Sequence, residues 1–228
     1  MSIEFKNVAF SYDEKAIFTD LSLMCESGEC LAIRGNNGSG KSTMLKLAVG
    51  VLMPQSGEIH LNGENLWRKR KFRKPKAIVN HASLIGYCMQ KPERQLFAET
   101  VLEDVAFGPR NIGMTEDAVK TSVDKWLNFF NISDLKDKSP YAISGGQKRM
   151  VALAGVLAMD APNICMDEPS ASLDDDGKEL VVKLIRELKT QGKSVLLVTH
   201  SDEECKAVAD DVLDLSNQPA INRDKSRP

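Results

Sequence analysis

A short glycine-rich segment is the feature of this 228-residue chain that most restricts its fold. Residues Gly35 to Ser42 have the sequence GNNGSGKS, which fits the pattern G-x-x-x-x-G-K-[ST]. An apolar run, Cys30 to Arg34, precedes the segment, and Lys41 to Val51 has the apolar spacing of a helix. Glycines there let successive backbone N–H groups point at phosphate oxygens, and the helix adds the positive end of its dipole. The sequence therefore predicts a strand–loop–helix unit that binds a nucleoside triphosphate.

Each polar residue of this loop has a task that follows from its chemistry. Lys41 supplies a mobile cation for the outer phosphates, and the hydroxyl of Ser42 is a ligand for Mg²⁺. The predicted nucleotide contacts of the segment are Asn36, Gly38, Ser39, Gly40, Lys41, Ser42 and Thr43.

Strand and helix patterns alternate along the rest of the chain. Ile164 to Met166 and Ser194 to Val198 are short apolar runs typical of buried strands, and Asp176 to Thr190 has the pattern of an amphipathic helix. Ile3 to Phe10 is a predicted strand near the N-terminus, and the region from Glu99 to Ala158 is mainly helical. This alternation predicts an α/β fold with a mainly parallel sheet.

Composition limits the other function classes. The net charge of −2 gives no reason to expect nucleic-acid binding, and no apolar run approaches the roughly 18 residues of a membrane span. Met1 to Phe10 alternates polar and apolar residues, unlike a secretory signal. The five cysteines have no C-x-x-C pair, so we expect small buried thiols in the cytoplasm rather than disulfides or a zinc site.

Two carboxylates follow the apolar run Ile164 to Met166. Adjacent side chains of a strand point to opposite faces, so Asp167 and Glu168 cannot perform the same task. We predict that Asp167 holds the Mg²⁺ site and that Glu168 polarises the attacking water.

A second glycine motif, Ser144-Gly145-Gly146-Gln147, stands about twenty residues before these acids and opens a helical pattern. It resembles the LSGGQ signature of ATP-binding cassette (ABC) proteins, with Ile143 in place of the leucine. A serine, glycine amides and a helix N-terminus form an anion site. In that family the site reaches the γ-phosphate held by the opposite subunit, so the resemblance implies a head-to-tail dimer.

The resemblance extends from about Ile3 to Leu215, with each motif in family order. It implies that Tyr12 stacks on adenine, that Gln90 senses Mg²⁺ and contacts a transmembrane partner, and that His200 contacts the γ-phosphate. Ser170 to Asp174 corresponds to the loop that couples the two subunits. The resemblance thus implies a P-loop NTPase of RecA-like fold with an N-terminal antiparallel β subdomain and an α-helical signature subdomain. Its predicted catalytic residues are Glu168, His200, Gln90 and Lys41, its metal ligands Ser42, Gln90 and Asp167, and its further nucleotide contacts Tyr12, Ser144, Gly145, Gly146 and Gln147.

One branch of the family is similar over a longer stretch. Ile85 to Phe97 and Thr100 to Pro109, with a second glutamine at Gln95, resemble the ATPases of energy-coupling-factor importers, including the cobalt and nickel group. This resemblance implies ATP and Mg²⁺ as cofactors, uptake of a vitamin or transition metal, and a peripheral position on the cytoplasmic face of the membrane. The implied partners are a second ABC ATPase, identical or related, a transmembrane coupling protein and a substrate-capture membrane protein, and no nucleic acid. A soluble ABC ATPase not tied to transport is the alternative.

Three features depart from the family pattern or lie outside it. Met150 stands where an arginine is common, and Asn163 is a polar residue at the start of a buried strand. A basic run from Arg68 to Lys76 is expected to be either a solvated loop or a contact for anionic lipid headgroups. We expect one ATPase domain over residues 1–215, with a helical subdomain at about 95–155, and a flexible tail at 216–228.

Overall fold

The structure, a computed structural model, describes residues 1–70, 73–77, 81–91, 95–216 and 221–222. Its first sheet is built from alternating apolar residues. Strand β1 (Ile3–Tyr12) buries Ile3, Phe5 and Val8 on one face, and Asn7, in the left-handed region at φ 49°, forms the bulge that changes the spacing from two to three. The sheet has the order β12-β2-β1-β4-β5 and is antiparallel except between β12 and β2. Its other strands are β2 (Lys15–Cys25), β4 (Ser56–Leu61), β5 (Glu64–Asn65) and β12 (Ile221–Asn222).

The second sheet is entirely parallel and has the order β11-β3-β10-β9-β8. Every residue of its central strands β9 and β10 is buried, because both faces of the sheet are covered. The predicted parallel α/β fold is confirmed. The strands are β3 (Cys30–Arg34), β8 (Ile85–Cys88), β9 (Asn163–Asp167), β10 (Ser194–Val198) and β11 (Asp211–Asp214).

Two apolar cores lie on the two faces of the parallel sheet. Cys165 and Leu196 join the core formed with the antiparallel sheet and α1, whereas Ile164 and Leu197 join the core formed with the helices. The helices are α1 (Lys41–Ala48), α2 (Val101–Asn111), α3 (Glu116–Phe129), α4 (Gly145–Ala158), α5 (Asp175–Thr190) and α6 (Asp202–Val208). No helix among the described residues has the length and apolar character needed to cross a membrane.

Asn163 connects the two sheets instead of weakening the strand that it begins. It is fully buried, and its amide Nδ2 donates to the Leu84 carbonyl at 2.8 Å and to Asn62 Oδ1 at 3.2 Å. Asn62 lies in the turn between β4 and β5. The Asn163 Nδ2 therefore links the start of β9 to the turn of the antiparallel unit, since buried donors generally find partners.

Two predicted segments lie partly outside the described residues. The basic run forms a two-stranded antiparallel hairpin, β6 (Trp67–Arg70) and β7 (Arg73–Ala77), where the sequence favoured a loop. The lipid contact predicted for its side chains falls outside the described part. Of the tail at 216–228, Ile221 and Asn222 pair with Leu21 and Ser22 of β2.

Candidate active site

The phosphate loop connects β3 to α1 and depends on glycine at several positions. Gly40 has φ 98°, and a Cβ atom there would lie 2.7 Å from Ile17 Cγ2. Both its backbone conformation and the close approach of β2 therefore require glycine. Lys41 is 7% exposed, and its Nζ donates to the carbonyls of Gly35 at 2.8 Å and Asn36 at 3.0 Å. The ammonium thus lies across the mouth of the loop.

Asp167 ends β9 beside the first turn of α1. It is 4% exposed, and burial raises the pKa of its carboxyl above the ordinary value, while a hydrogen bond with Ser42 opposes this. The hydroxyl of Tyr87 donates to Asp167 Oδ2 at 3.4 Å. The structure thus brings together two of the three predicted metal ligands, Ser42 and Asp167; the third, Gln90, instead donates to Glu168.

Glu168 occupies the point at which β9 leaves the sheet. Its φ of 52° lies in the left-handed region, so the chain turns sharply and the carboxylate points out of the sheet edge. Its Oε2 accepts a hydrogen bond from Gln90 Nε2 at 3.1 Å, and its Oε1 lies 3.3 Å from His200 Nε2. The structure therefore gathers three of the four predicted catalytic residues into one polar cluster.

His200 is held in this cluster by the loop after β10. The hydroxyl of Thr199 donates to the buried carboxylate of Glu204 and accepts from the backbone N–H of Ser201. The backbone N–H of Glu204 in turn donates to Ser201 Oγ at 3.1 Å. These hydrogen bonds fix the backbone on both sides of His200.

The signature residues lie at the start of α4. Ser144 is the N-cap: its Oγ accepts from Gln147 N at 3.2 Å, and its own N–H donates to Gln147 Oε1 at 2.9 Å. Ser144 and Gly145 are exposed, so the first turn of α4 faces solvent. No hydrogen bond of the described residues joins Ser144 or Gln147 to Lys41, Glu168 or His200. Within the described part of one chain, no hydrogen bond links the two halves of the predicted site directly.

Two other predicted regions border this arrangement. The ring of Tyr12 is 43% exposed and packs edge-to-face on Phe10, with centroids 4.9 Å apart. Leu173, in the predicted coupling loop, lies beside the signature: a Cβ built on Gly146 would be 3.6 Å from Leu173 Cδ2.

The donors at Asp167 fit Mg²⁺ better than a softer metal. Ser42 and Asp167 offer hard oxygen ligands, which Mg²⁺ prefers, and Mg²⁺ commonly binds through one or two protein groups together with phosphates. In the described part of the chain no group of three or more His, Cys, Asp or Glu side chains could hold a metal. A few oxygen ligands shared with a nucleotide therefore suit the site.

Two residues of the site, Tyr87 and Arg149, have no role in the predictions made from the sequence. Tyr87 contacts Asp167, as described above. Arg149 is 9% exposed and donates hydrogen bonds to the carbonyls of Glu168, Pro169 and Gln90. A usable signal existed for Arg149, because Ala152 and Val156 follow it on the same face of α4 and are apolar. A charged residue in such a stripe needs partners.

The chain was compared with known proteins. Residues 18–171 match the ABC transporter family. The energy-coupling factor transporter ATP-binding protein EcfA2 of Lactobacillus johnsonii is 40% identical over 223 residues, which cover 95% of this chain and 76% of the relative. A putative ABC transporter ATP-binding protein of Pyrococcus furiosus is 38% identical over 216 residues, covering 94% of this chain and 80% of that protein.

Solved structures show the same architecture. The structure of cbiO1 from Clostridium perfringens, described as part of the ABC transporter complex cbiONQ, has a TM-score of 0.80 and 33% identity, and covers 93% of this chain and 83% of its own. The dimeric bacterial ABC transporter cassette MJ0796 has a TM-score of 0.80 at 24% identity, covering 93% and 94%, and supports the fold alone.

Proposed function

The chain belongs to the ABC transporter family, and on that premise we propose that it is the ATP-binding and ATP-hydrolysing subunit of an energy-coupling-factor importer. The observation that carries this proposal is the cluster in which the Glu168 carboxylate lies between Gln90 and His200, at the same sheet edge as the phosphate loop. A carboxylate held between two polar side chains at the carboxyl ends of parallel strands is placed to act on a bound ligand.

The residues of one chain divide the reaction between them. Lys41 moves from the loop carbonyls to the outer phosphates, where its charge opposes the developing negative charge. Glu168 accepts the proton of the attacking water, and Gln90 and His200 hold its carboxylate in place. Ser42 and Asp167 would hold Mg²⁺, which would neutralise charge at the phosphates.

The separation of the signature from this cluster supports a head-to-tail dimer. The first turn of α4 faces solvent and presents its N–H groups and Ser144, which suit an anion supplied by another molecule. In the proposed dimer each signature contacts the nucleotide of the other subunit. The second subunit is another copy of this chain or a related ATPase.

The membrane assignment rests on the relatives. The Lactobacillus johnsonii protein is named as an energy-coupling factor transporter subunit, and cbiO1 as part of a transporter complex. We assign this chain a peripheral position on the cytoplasmic membrane face, attached to a transmembrane coupling protein that works with a capture protein for a vitamin or transition metal.

Glu168→Gln tests the catalytic part of the proposal. Loss of the base lowers kcat by about 10²- to 10⁴-fold while the variant still binds MgATP, so a stable MgATP-dependent dimer accumulates on gel filtration. Glu179→Gln, an exposed glutamate on the outer face of α5, is the matched control and keeps the parental rate. Hydrolysis by Glu168→Gln at the parental rate would contradict the assignment of the base.

Purification from membranes of the native host tests the transport part. A tagged chain solubilised in mild detergent is expected to carry a multi-helix membrane protein and a second ATPase, identified by mass spectrometry. If active ATPase is recovered only from the soluble fraction with no membrane protein, the alternative of a soluble ABC ATPase is correct.

A further inference from the structure

The buried guanidinium of Arg149 joins three segments that the sequence keeps apart. Its Nη1 donates to the Glu168 carbonyl at 2.7 Å and to the Pro169 carbonyl at 3.3 Å, and its Nη2 donates to the Gln90 carbonyl at 3.0 Å. Arg149 itself belongs to α4, the helix that begins at the signature. One side chain therefore connects the signature helix to the backbones of both Gln90 and Glu168.

The backbone at Glu168 needs such support. A residue other than glycine at φ 52° lies in a sparsely populated region, which persists only when the surrounding structure holds it there. The Glu168 N–H donates to the Val198 carbonyl at 2.9 Å, and the Glu168 carbonyl accepts from Arg149. The first contact belongs to the sheet, and the second belongs to the signature helix. The direction of the Glu168 side chain is therefore set jointly by both.

The same guanidinium also fixes the backbone of Gln90, whose side chain pairs with that of Glu168. Arg149 holds the backbone carbonyl of Gln90, whose side-chain Nε2 reaches Glu168 Oε2 at 3.1 Å. The planar fork of arginine suits this task because it donates in two fixed directions at once, which the single ammonium of lysine cannot do. The distance between Gln90 and Glu168 thus depends on a third residue, which holds the backbone carbonyls of both.

Arg149 is also close to the end of α4 that presents the signature. Arg149 is five positions after the N-cap Ser144, which corresponds to about 7.5 Å along the helix axis at 1.5 Å per residue. Backbone hydrogen bonds link the successive turns of α4, so we expect a displacement of its first turn to be carried to Arg149. A shift at the signature therefore reaches the backbones of Gln90 and Glu168 through two or three hydrogen bonds.

We infer that Arg149 is a positioning residue that couples the two nucleotide sites of the dimer. When the signature of α4 closes on the nucleotide of the other subunit, Arg149 sets Gln90 and Glu168 of its own subunit in the geometry for hydrolysis. This inference rests on the proposed function, because it requires both the dimer and the role of Glu168. Met150, where the family commonly has arginine, is buried with the helical core, and Arg149 makes the polar contacts to these loops.

Arg149→Lys tests the inference, because it keeps the positive charge and much of the aliphatic stem but removes the fork. The expected result is a kcat lowered by about 10- to 100-fold, as for a small misplacement of catalytic groups. The KM for MgATP stays within about twofold, because Lys41 and Ser42 are untouched. Arg186→Lys is the matched control and keeps the parental kcat: Arg186 also donates to a backbone carbonyl, that of Ala207, but on the exposed side of α5.

A second measurement separates positioning from a purely structural effect. Arg149→Lys retains the signature and the phosphate loop, so it is expected to accumulate the MgATP-dependent dimer on gel filtration, with a parental circular dichroism spectrum and midpoint of thermal unfolding. A kcat within twofold of the parental value would overturn the inference. So would a lowered kcat accompanied by a lower unfolding midpoint and loss of the dimer.

A double-mutant cycle tests whether Arg149 acts through Glu168. In single-turnover hydrolysis, Arg149→Lys added to Glu168→Gln is expected to cause no further loss, because Arg149 acts through a carboxylate that is already absent. A further loss as large as in the parental background would refute the coupling. If the parental chain hydrolyses no MgATP, or if Glu168→Gln is fully active, it is the proposed function that fails. The inference alone fails if Glu168→Gln is inactive and Arg149→Lys is fully active.

Discussion

Gly86 is a glycine that packing, and not backbone conformation, requires. It lies in β8, the edge strand of the parallel sheet that leads to Gln90, and its φ is not in the left-handed region. A Cβ atom at this position would be 2.7 Å from Val156 Cγ1 on α4 and 3.2 Å from Ile164 Cδ1 on β9. The absence of a side chain therefore allows α4 to approach the sheet closely.

The cost of Gly86→Ala follows from these distances. Overpacking of a filled core by one methyl costs about 1–3 kcal/mol, because the 2.7 Å contact forces Val156 or the helix to move. Restricting the unfolded chain returns about 0.5 kcal/mol. We expect a net loss of about 0.5–2.5 kcal/mol in the free energy of unfolding, which lowers the midpoint of thermal unfolding by about 1–10 °C in a protein of this size.

The assay is thermal unfolding followed by circular dichroism, with two comparison variants. Gly155→Ala is the matched control: Gly155 lies inside α4, and its added Cβ would meet nothing closer than 3.8 Å. Its midpoint should rise, because alanine favours a helix by about 1 kcal/mol over glycine. Val156→Ala removes the methyl that would clash, so in that background Gly86→Ala should change the free energy of unfolding little. The coupling energy between the two substitutions is then about 1–2 kcal/mol.

The sign of the stability change caused by Gly86→Ala distinguishes overpacking from backbone entropy. If only backbone entropy mattered, Gly86→Ala would stabilise the protein, as it does at strain-free positions. A midpoint equal to or above the parental value would show that α4 and β8 are not packed as closely as described. Additive effects of Gly86→Ala and Val156→Ala would show that Val156 is not the group that is displaced.

Three further predictions concern buried polar groups and thiols. Burial raises the pKa of Asp167, so the folded chain holds this proton to a higher pH than the unfolded chain, and the contribution of Asp167 to stability falls as pH rises between the unfolded and the folded pKa. Asp167→Asn should therefore stabilise the nucleotide-free protein at pH 7 by about 0.5–2 kcal/mol, as measured by urea denaturation. A stability lower than that of the parent would contradict this prediction. The Nζ of Lys193 donates to Asp160 Oδ1 and to the carbonyls of Asp160 and Ala161. Lys193→Met should lower the free energy of unfolding by about 2 kcal/mol, because two carbonyls lose their donor. A decrease below about 0.5 kcal/mol would show that water takes the place of the ammonium as donor. All five cysteines are buried, and burial raises the pKa of the Cys88 thiol to about 12. Ellman's reagent at pH 8 should therefore label no cysteine of the native protein within minutes and all five in denaturant. Rapid labelling in the native state would contradict their burial.

Much of the site was predictable because its motifs are local. The phosphate loop needs glycine where φ is positive, as at Gly40, and the first turn of α4 needs Ser144 and Gln147 three residues apart for a capping box. The strand before Asp167 is apolar on both faces because both faces of a parallel sheet are covered. Each requirement acts over a few residues, so it leaves a pattern in the sequence.

The hairpin β6–β7 was not predictable for the opposite reason. A strand is recognised from a sequence by alternation of apolar and polar residues, and the run from Arg68 to Lys76 is basic almost throughout. Composition alone favoured a loop, and the pairing of the two strands is visible only in the structure.

The sequence by itself determined most of the strands and helices, the glycine-rich loop, the acids at the end of β9 and the capping box at the start of α4. Only the tertiary structure decided which of these groups meet. Glu168 contacts Gln90 and His200 because the order β3-β10-β9-β8 places the ends of three strands side by side. Arg149 reaches two of the same loops because α4 packs on β8, where Gly86 leaves room. Contacts between distant segments depend on the order of strands and on packing distances, which local propensities do not encode.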